Sequence, residues 1–425
     1  MKAYAVIGAG FGDCGKGATV DQIASSVENP VVIRFNGGAQ AGHTVELPDG
    51  RRHVFSHFGS GALAGAPTHL SKYFVVNPRS FLNEWVELAA LGGNTNISIH
   101  PDALVTTPYD VSLNRYLERT RGDKCHGSVG IGFGATVERS LKGPKLTIGD
   151  LLTSSESRIK MLLKAVEQYT NNTANVTTLG VNHNDFFKEL RMMKDLVSID
   201  QLVFRTRDTY IFEGAQGLLL DQDTGYTFPH LTRSNTGLKN VVALINGSPD
   251  GSGAWIRSLD VSYVTRCYST RHGAGPLDGE ELSGKLMGID VIDHTNKEKP
   301  WQGKFRLAPL MLPRVRDAIL NDLKQHKLLN PGVVRPGVVV TCMDQVTTES
   351  HRNIIRGALR TNLPGMSILE RHGPRRGDLD EKTTVRKSSP LSTRPESIFL
   401  EATESPAAAA ERFLRVTRTK PSDPS

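Results

Sequence analysis

Apolar residues follow two rhythms along this chain. Short continuous apolar runs at 3–7, 31–35, 73–76, 97–99, 210–212 and 338–341 have the length of buried strands. Between them, apolar positions three and four apart predict helices over 18–27, 81–91, 157–169 and 186–194. Strands alternating with helices imply a central, mostly parallel sheet with helices on both faces, an α/β fold. The stretch 106–152 is too long for a compact connection and reads as a functional insertion.

Composition narrows the class without naming a task. The chain has 425 residues, 38% of them hydrophobic and 22% charged, an ordinary globular balance that excludes collagen, coiled coil and general disorder. No apolar run is long enough to span a bilayer, and the opening apolar run breaks into glycines too early for a signal peptide. Cys14, Cys125, Cys267 and Cys342 stand far apart with no CxxC spacing. That points to a reducing cytoplasm and away from structural zinc.

Charge is unevenly spread. Lys and Arg number 51 against 44 Asp and Glu, a net +7, and 11 of the cations against 8 of the acids lie from Arg371 onward. The end of the chain therefore carries +3 of the excess, in a setting rich in Ser, Thr, Pro and Arg. The expected organisation is a domain over 1–375 and a basic, partly disordered or loosely docked tail over 376–425, with one short helix at 406–416. Elsewhere cations and acids are mixed and few aromatics are interleaved, so no nucleic-acid partner and no membrane partner are expected.

The first chemical signal follows the first strand. Gly10-Phe11-Gly12-Asp13-Cys14-Gly15-Lys16 fits the GxxxxGK phosphate loop, in which glycines turn backbone N–H groups toward phosphate oxygens and Lys16 reaches the outer phosphates. The domain is thus of P-loop type. Gly17 stands where Ser or Thr normally helps to hold Mg²⁺, which makes Asp13 the candidate metal ligand. The second signal is Asn36-Gly37-Gly38-Ala39-Gln40-Ala41-Gly42-His43-Thr44, again beyond a strand. Ligands in open α/β sheets gather at the carboxyl ends of strands, so Asp13 and His43 form a plausible acid/base pair around a phosphorylated ligand.

These segments, GDxGKG followed by GGxxAGHT, resemble the adenylosuccinate synthetase family. Further segments agree in order: Gly127-Ser128-Val129-Gly130-Ile131-Gly132, Ile148-Gly149-Asp150-Leu151, Phe212-Glu213-Gly214-Ala215-Gln216-Gly217, Thr232-Arg233-Ser234-Asn235-Thr236 and Tyr268-Ser269-Thr270-Arg271-His272-Gly273-Ala274-Gly275-Pro276. The resemblance covers about residues 1–375. It implies a carbon–nitrogen ligase that joins L-aspartate to C6 of a 6-oxopurine nucleoside monophosphate through a 6-phosphoryl intermediate, at the expense of a nucleoside triphosphate and with Mg²⁺. Asp13, His43 and Gln216 would be catalytic, and Asp13 with the Gly42 carbonyl would hold the metal. The triphosphate would lie on Gly12, Gly15, Lys16, Gly17, Gly42, Thr44, Asp344, Gly373 and Pro374. The monophosphate would lie on Asp13, Asn36, Gln40, Ser128, Val129, Gln216, Thr232 and Arg233. Gly303, Lys304, Arg306 and Arg271 would take the aspartate carboxylates. The resemblance also implies a cytoplasmic homodimer with small-molecule substrates.

Departures from the family pattern decide the finer reading. Cys342 replaces the Lys of the base-reading Thr-Lys-x-Asp, so the triphosphate is GTP or instead ATP or dATP. Val129 replaces a Thr, and the family's cross-subunit Arg has Arg139 or Lys142 as its candidate substitute. His57-Phe58-Gly59-Ser60-Gly61 with Phe74-Val75-Val76-Asn77-Pro78 resembles the divergent phage branch, whose members make N6-succino-2-aminoadenylate from dGMP, in the host cytoplasm if phage-encoded. The favoured substrate is dGMP, with IMP as the alternative. A P-loop regulatory ATPase and a nucleic-acid-binding protein are the remote readings, and the former predicts hydrolysis that needs no aspartate.

Overall fold

In the computed structural model, the residues described are 1–181, 183–285, 288–292, 303–325 and 333–380. The strands in chain order are β1 (Lys2–Gly8), β2 (Pro30–Arg34), β3 (His43–Glu46), β4 (Arg52–Phe55), β5 (Thr68–Leu70), β6 (Val75–Val76), β7 (Ile97–Ile99) and β8 (Leu104–Val105). They continue with β9 (Ser198–Ile199), β10 (Thr209–Glu213), β11 (Ser258–Arg266), β12 (Tyr268–His272), β13 (Phe305–Pro309), β14 (Val333–Thr341), β15 (Ser367–Arg371) and β16 (Leu379–Asp380). Helices are α1 (Lys16–Ser26), α2 (Pro78–Ala90), α3 (Pro108–Arg121), α4 (Phe133–Lys142), α5 (Ile148–Thr153), α6 (Glu156–Ala174), α7 (Asn184–Lys194), α8 (Leu238–Asn246), α9 (Leu312–Leu323) and α10 (Glu349–Asn362).

One ten-stranded sheet runs β16-β15-β14-β11-β1-β10-β2-β5-β7-β9, parallel throughout except at the β15–β16 edge. β1 sits inside it between β10 and β11, which is why its run is apolar on both faces. Ala3, Ala5 and Ile7 pack into the cluster formed with α8, α9 and α10, whereas Val6 faces the cluster that holds Val20 and Ala24 of α1. The period of two along the strand thus divides the core between two helical layers. A third apolar cluster, around Phe58, Phe81, Val105, Leu151 and Phe187, lies in the chain between β2 and β10.

The predicted α/β class and most predicted elements are present, with three differences. Residues 73–76 do not join the main sheet: a turn at Ser71 takes the Phe74 N–H at 3.0 Å, and only Val75 and Val76 pair, with β8. The expected insertion 106–152 is largely helical, because Thr107 with Asp110 and Thr147 with Asp150 form capping boxes that start α3 and α5. The sheet also runs past 375, where β16 pairs with β15 and Arg376 makes a two-pronged ion pair with buried Asp21. The helix expected at 406–416 lies outside the described residues.

Candidate functional site

The carboxyl ends of β1, β2, β10, β11, β14 and β15 open into one cleft of about 1120 Å³. A typical small-molecule pocket holds about 300–1,000 Å³, so there is room for more than one ligand of that size. The loop after β1 turns through Gly12, Asp13 and Gly15, at φ 98°, 53° and 85°. Asp13 is a non-glycine residue in the left-handed region, a conformation kept only where its surroundings fix it. Two contacts fix it here: Arg266 Nε donates to its carbonyl at 2.6 Å, and His272 Nε2 lies 2.8 Å from Oδ2. Lys16, buried at the first turn of α1, donates to the Gln216 carbonyl at 2.6 Å and so ties this loop to the one after β10.

His43 begins β3, and its Nδ1 lies 2.5 Å from Glu213 Oε1 at the end of β10. Glu213 is fully buried and also accepts from the Ser60 N–H and hydroxyl, with Arg34 opposite it in the β2–β10 register. Burial alone would raise Glu213, but Arg34, His43 and Ser60 outweigh it and hold the carboxyl down to about 2. Burial pushes His43 down to about 4 despite the attraction of Glu213, with Arg34 and Lys16 adding to the shift. A neutral imidazole donating Nδ1–H to a carboxylate is the consistent state, and it reserves Nε2 for a ligand. His43 also explains Gly17. A Cβ added there would stand 2.9 Å from His43 Cβ and 3.1 Å from Ser60 Oγ, so a Ser or Thr at this helix position would displace the histidine.

Most residues expected in the site line this cleft. At the phosphate end are Gly12, Asp13, Gly15, Lys16, Gly17, Gly42, His43 and Thr44, and at the far end Asp344, Gly373 and Pro374. Gln40, Ser128, Val129, Gln216, Thr232 and Arg233 line the remaining wall. Both side-chain polar atoms of Gln40, and Oε1 of Gln216, are buried without a hydrogen-bond partner among the described residues, as ligand-reading amides would be. Arg233 is half-exposed and pairs with Glu138 at 3.1 Å.

Five expectations change. Asn36 is fully buried and spends its amide on both the N–H and C=O of Ala215, so it clamps the Gln216 loop from beneath. Arg306 does not line the cleft: it pairs with Glu280 and donates to the Gly273 and Gly275 carbonyls. Arg271 reaches the cleft wall, but its three nitrogens donate to Ala274, Pro276 and His230 carbonyls while its guanidinium covers Phe11. Both arginines brace the loop 273–276 instead of presenting open forks for a dicarboxylate. Arg139 is fully buried in an ion pair with Asp110 and cannot replace a cross-subunit cation; Lys142 remains exposed. Gly303 and Lys304 are exposed and outside the cleft lining, and 301–302 lie outside the described residues.

His272 and Arg371 line the cleft and Glu213 lies fully buried behind His43; sequence reasoning assigned none of the three a role, and a charged residue closing the apolar run 210–212 was the available signal for Glu213. A Mg²⁺ ion fits the donors present. Asp13 and the Gly42 carbonyl offer hard oxygen ligands beside Lys16, and Mg²⁺ commonly uses one or two carboxylates together with substrate phosphates. Among the described residues, no group of three His, Cys, Asp or Glu forms a separate metal cage. No helix of the described residues is long and apolar enough to cross a membrane.

Comparison with known proteins gives concordant results. Residues 5–298 match the family described as adenylosuccinate synthetase. The adenylosuccinate synthetase of Marinomonas sp. is 32% identical over 304 residues, covering 66% of this chain and 67% of that one. That of Teredinibacter turnerae is 34% identical over 294 residues, covering 66% and 65%. The chain thus spans about two thirds of the length of these curated relatives. Among solved structures, the fully ligated adenylosuccinate synthetase of Plasmodium falciparum superposes with a TM-score of 0.63 at 18% identity, over 89% of this chain and 99% of that one. The succinoaminodeoxyadenylate synthetase of cyanophage S-2L, bound to dGMP and dATP, superposes with a TM-score of 0.60 at 16% identity, over 98% and 99%. At these identities the two structures show a shared fold.

Proposed function

Because this chain belongs to the adenylosuccinate synthetase family, a family of carbon–nitrogen ligases, we propose that it joins L-aspartate to C6 of a 6-oxopurine nucleoside monophosphate. One observation carries the proposal: Asp13 and Lys16, from the segment after β1, and His43, from the segment after β2, converge on a single cleft. Asp13 takes the N1 proton of the purine, and O6 then attacks the γ-phosphorus of a nucleoside triphosphate, GTP, ATP or dATP. The O–P bond to the leaving diphosphate breaks and O6 becomes a phosphate ester. The amine of aspartate next adds at C6 and expels phosphate with O6, while the amine loses its proton.

The residues suit that sequence. Phosphoryl transfer asks chiefly for positioning and fixed charge, which the glycine loop, Lys16 and the Glu213-oriented His43 supply. When bound at Asp13 and the Gly42 carbonyl, Mg²⁺ would supply further neutralisation of phosphate charge. The buried, unmatched amide of Gln40 and amide oxygen of Gln216 suit recognition of the monophosphate.

The favoured monophosphate is dGMP, giving N6-succino-2-amino-2′-deoxyadenylate. Val129 and Cys342 depart from the housekeeping pattern, and the match to the dGMP-bound phage enzyme runs end to end. Asp13, carrying a carboxylate beside the purine site, is compatible with a 2-amino donor. IMP is the second reading, favoured by the 32–34% identity to curated adenylosuccinate synthetases. Assembly as a homodimer belongs to the same proposal. IMP, GMP, dGMP and dIMP, each incubated with aspartate and GTP, ATP or dATP, should show by mass the highest yield of succinylated product from dGMP. Product from IMP alone would overturn the dGMP assignment, and no product from any pair would overturn the ligase assignment.

A further inference from the structure

The segment His57-Phe58-Gly59-Ser60-Gly61, between β4 and β5, runs hard against β2 and α1. A Cβ on Gly59 would stand 2.5 Å from Val32 Cβ, and one on Gly61 2.7 Å from Ala24 Cβ, so only glycine on either side of Ser60 permits this approach. The chain before Ser60 is tied down residue by residue. Buried Glu84 of α2 accepts from the backbone N–H groups of Ser56, His57 and Phe58 at 2.8, 2.7 and 3.1 Å. The Thr68 hydroxyl of β5 accepts from the Gly59 N–H at 2.9 Å.

Ser60 is fully buried and spends both its donors on one carboxylate. Its N–H donates to Glu213 Oε2 at 2.9 Å, and its hydroxyl donates at 2.5 Å to Oε1, the oxygen that also meets His43 Nδ1. One donor on each oxygen fixes the rotation of the carboxylate about its last bond, and so the direction in which Oε1 points. A competitor stands beside it. Arg34 pairs with Glu213 in the β2–β10 register, so the two side chains leave the same face of the sheet. Arg34 is fully buried, and its Nη1 donates to the Phe58 carbonyl at 3.1 Å. Its Nε and Nη2, the edge that makes two-pronged contacts with carboxylates, have no hydrogen-bond partner among the described residues. A carboxylate free to turn would answer that fork and leave His43.

We propose that Ser60 is a positioning residue for the phosphoryl step: its two hydrogen bonds hold the Glu213 carboxylate on His43 and off Arg34, so that the imidazole keeps Nδ1 on Glu213 and Nε2 for the ligand. The preceding loop, anchored on Glu84 and Thr68, is the frame that sets Ser60 in place. This rests on the reading of His43 as a working group of a ligase site.

Steady-state kinetics and proton NMR of the full chain labelled with ¹⁵N-histidine test it. With the pair of nucleotides that gives the wild type its highest yield, Ser60→Ala should lower kcat by about tenfold, as misplacement of a reacting group does. KM for the monophosphate should stay within about twofold, because Ser60 does not line the cleft. The wild type should show a downfield resonance from His43 Nδ1–H, assigned by its loss in His43→Asn, and Ser60→Ala should move it upfield or broaden it away. Ser60→Cys, whose thiol is a weaker donor, should fall between the two in both measurements. A serine that merely satisfies a buried carboxylate would alter thermal stability and leave kcat and the resonance unchanged, and that result would overturn the inference. So would a rise in KM with kcat intact. If Ser60→Ala does not fold, Ser60→Cys decides alone, and wild-type kcat with an unmoved resonance would overturn the inference. If the wild type forms no succinylated product from any pair, the ligase reading falls, while the resonance still decides whether Ser60 holds Glu213 on His43.

Discussion

His272 and Asp13, 259 residues apart in sequence, meet at 2.8 Å through Nε2 and Oδ2. Strand β12 thereby holds the side chain that the proposed reaction uses to deprotonate the purine. Replacing His272 with Val should lower kcat by about tenfold to a hundredfold while leaving the KM of the monophosphate nearly unchanged, since misplacement of a reacting group by about 1 Å costs that much. His272→Asn, which can still donate to Asp13, should recover part of the loss. Asp13→Ala should abolish the coupled reaction. A fall in KM terms alone, with kcat intact, would argue against a positioning role.

Gly17 is set by its neighbour and not by a turn. Because a Cβ there would stand 2.9 Å from His43 Cβ, Gly17→Thr should not restore a metal-binding hydroxyl but push His43 away from Glu213. Steady-state kinetics should show kcat reduced by about tenfold or more. An active Gly17→Thr enzyme would contradict the packing described.

Arg139 and Lys142 lie three residues apart on α4 and should behave in opposite ways. The Arg139–Asp110 pair is fully buried on both sides, so Arg139→Met should cost about 3–5 kcal/mol by stranding the carboxylate. Lys142, exposed and paired with Glu138, should change stability by no more than about 0.5 kcal/mol when replaced by Met. Thermal unfolding of the two variants checks both.

Much of this was legible in the sequence where local pattern and local chemistry coincide. The apolar run 3–7 followed by GDCGK announces a strand and a phosphate loop together, because both signals are contiguous. The contacts that shape the site are not contiguous. Nothing near Asp13 signals His272, and nothing near His43 signals Glu213: the β1–β11 pairing brings the segment of His272 beside the loop of Asp13, and the β10–β2 pairing brings Glu213 to the loop that leads to His43. Arg306 and Arg271 illustrate the converse error. Two cations near glycine-rich segments look ready for a dicarboxylate, but the β12–β13 pairing turns them onto backbone carbonyls instead.

Acid should weaken the fold through its buried histidines. Burial holds His43 at about 4 and His69 at about 3 in the folded chain, against 6.5 when exposed. The unfolded chain therefore gains protons first, and stability falls as pH drops from about 6.5 toward 4. Glu213, held at about 2, stabilises fully above its ordinary 4.5 and loses that contribution progressively as pH falls from about 4.5 through about 2. Asp322 works in the opposite sense. Burial raises it from 3.8 to about 6, so its charge costs stability above pH 6 and the cost is relieved as pH falls toward 3.8. Asp322→Asn should melt at a higher temperature than the wild type at pH 8, with the gap closing toward pH 4. A gap that widens in acid would contradict this assignment.

Whether O6 of the purine leaves as phosphate separates a ligase from a nucleotide hydrolase. Monophosphate labelled with ¹⁸O at C6, incubated with aspartate and the nucleoside triphosphate, should release inorganic phosphate carrying one ¹⁸O atom for each succinylated nucleotide formed, with no release when aspartate is omitted. Unlabelled phosphate released at the same rate without aspartate would contradict the ligase reading and leave a nucleotide hydrolase in its place.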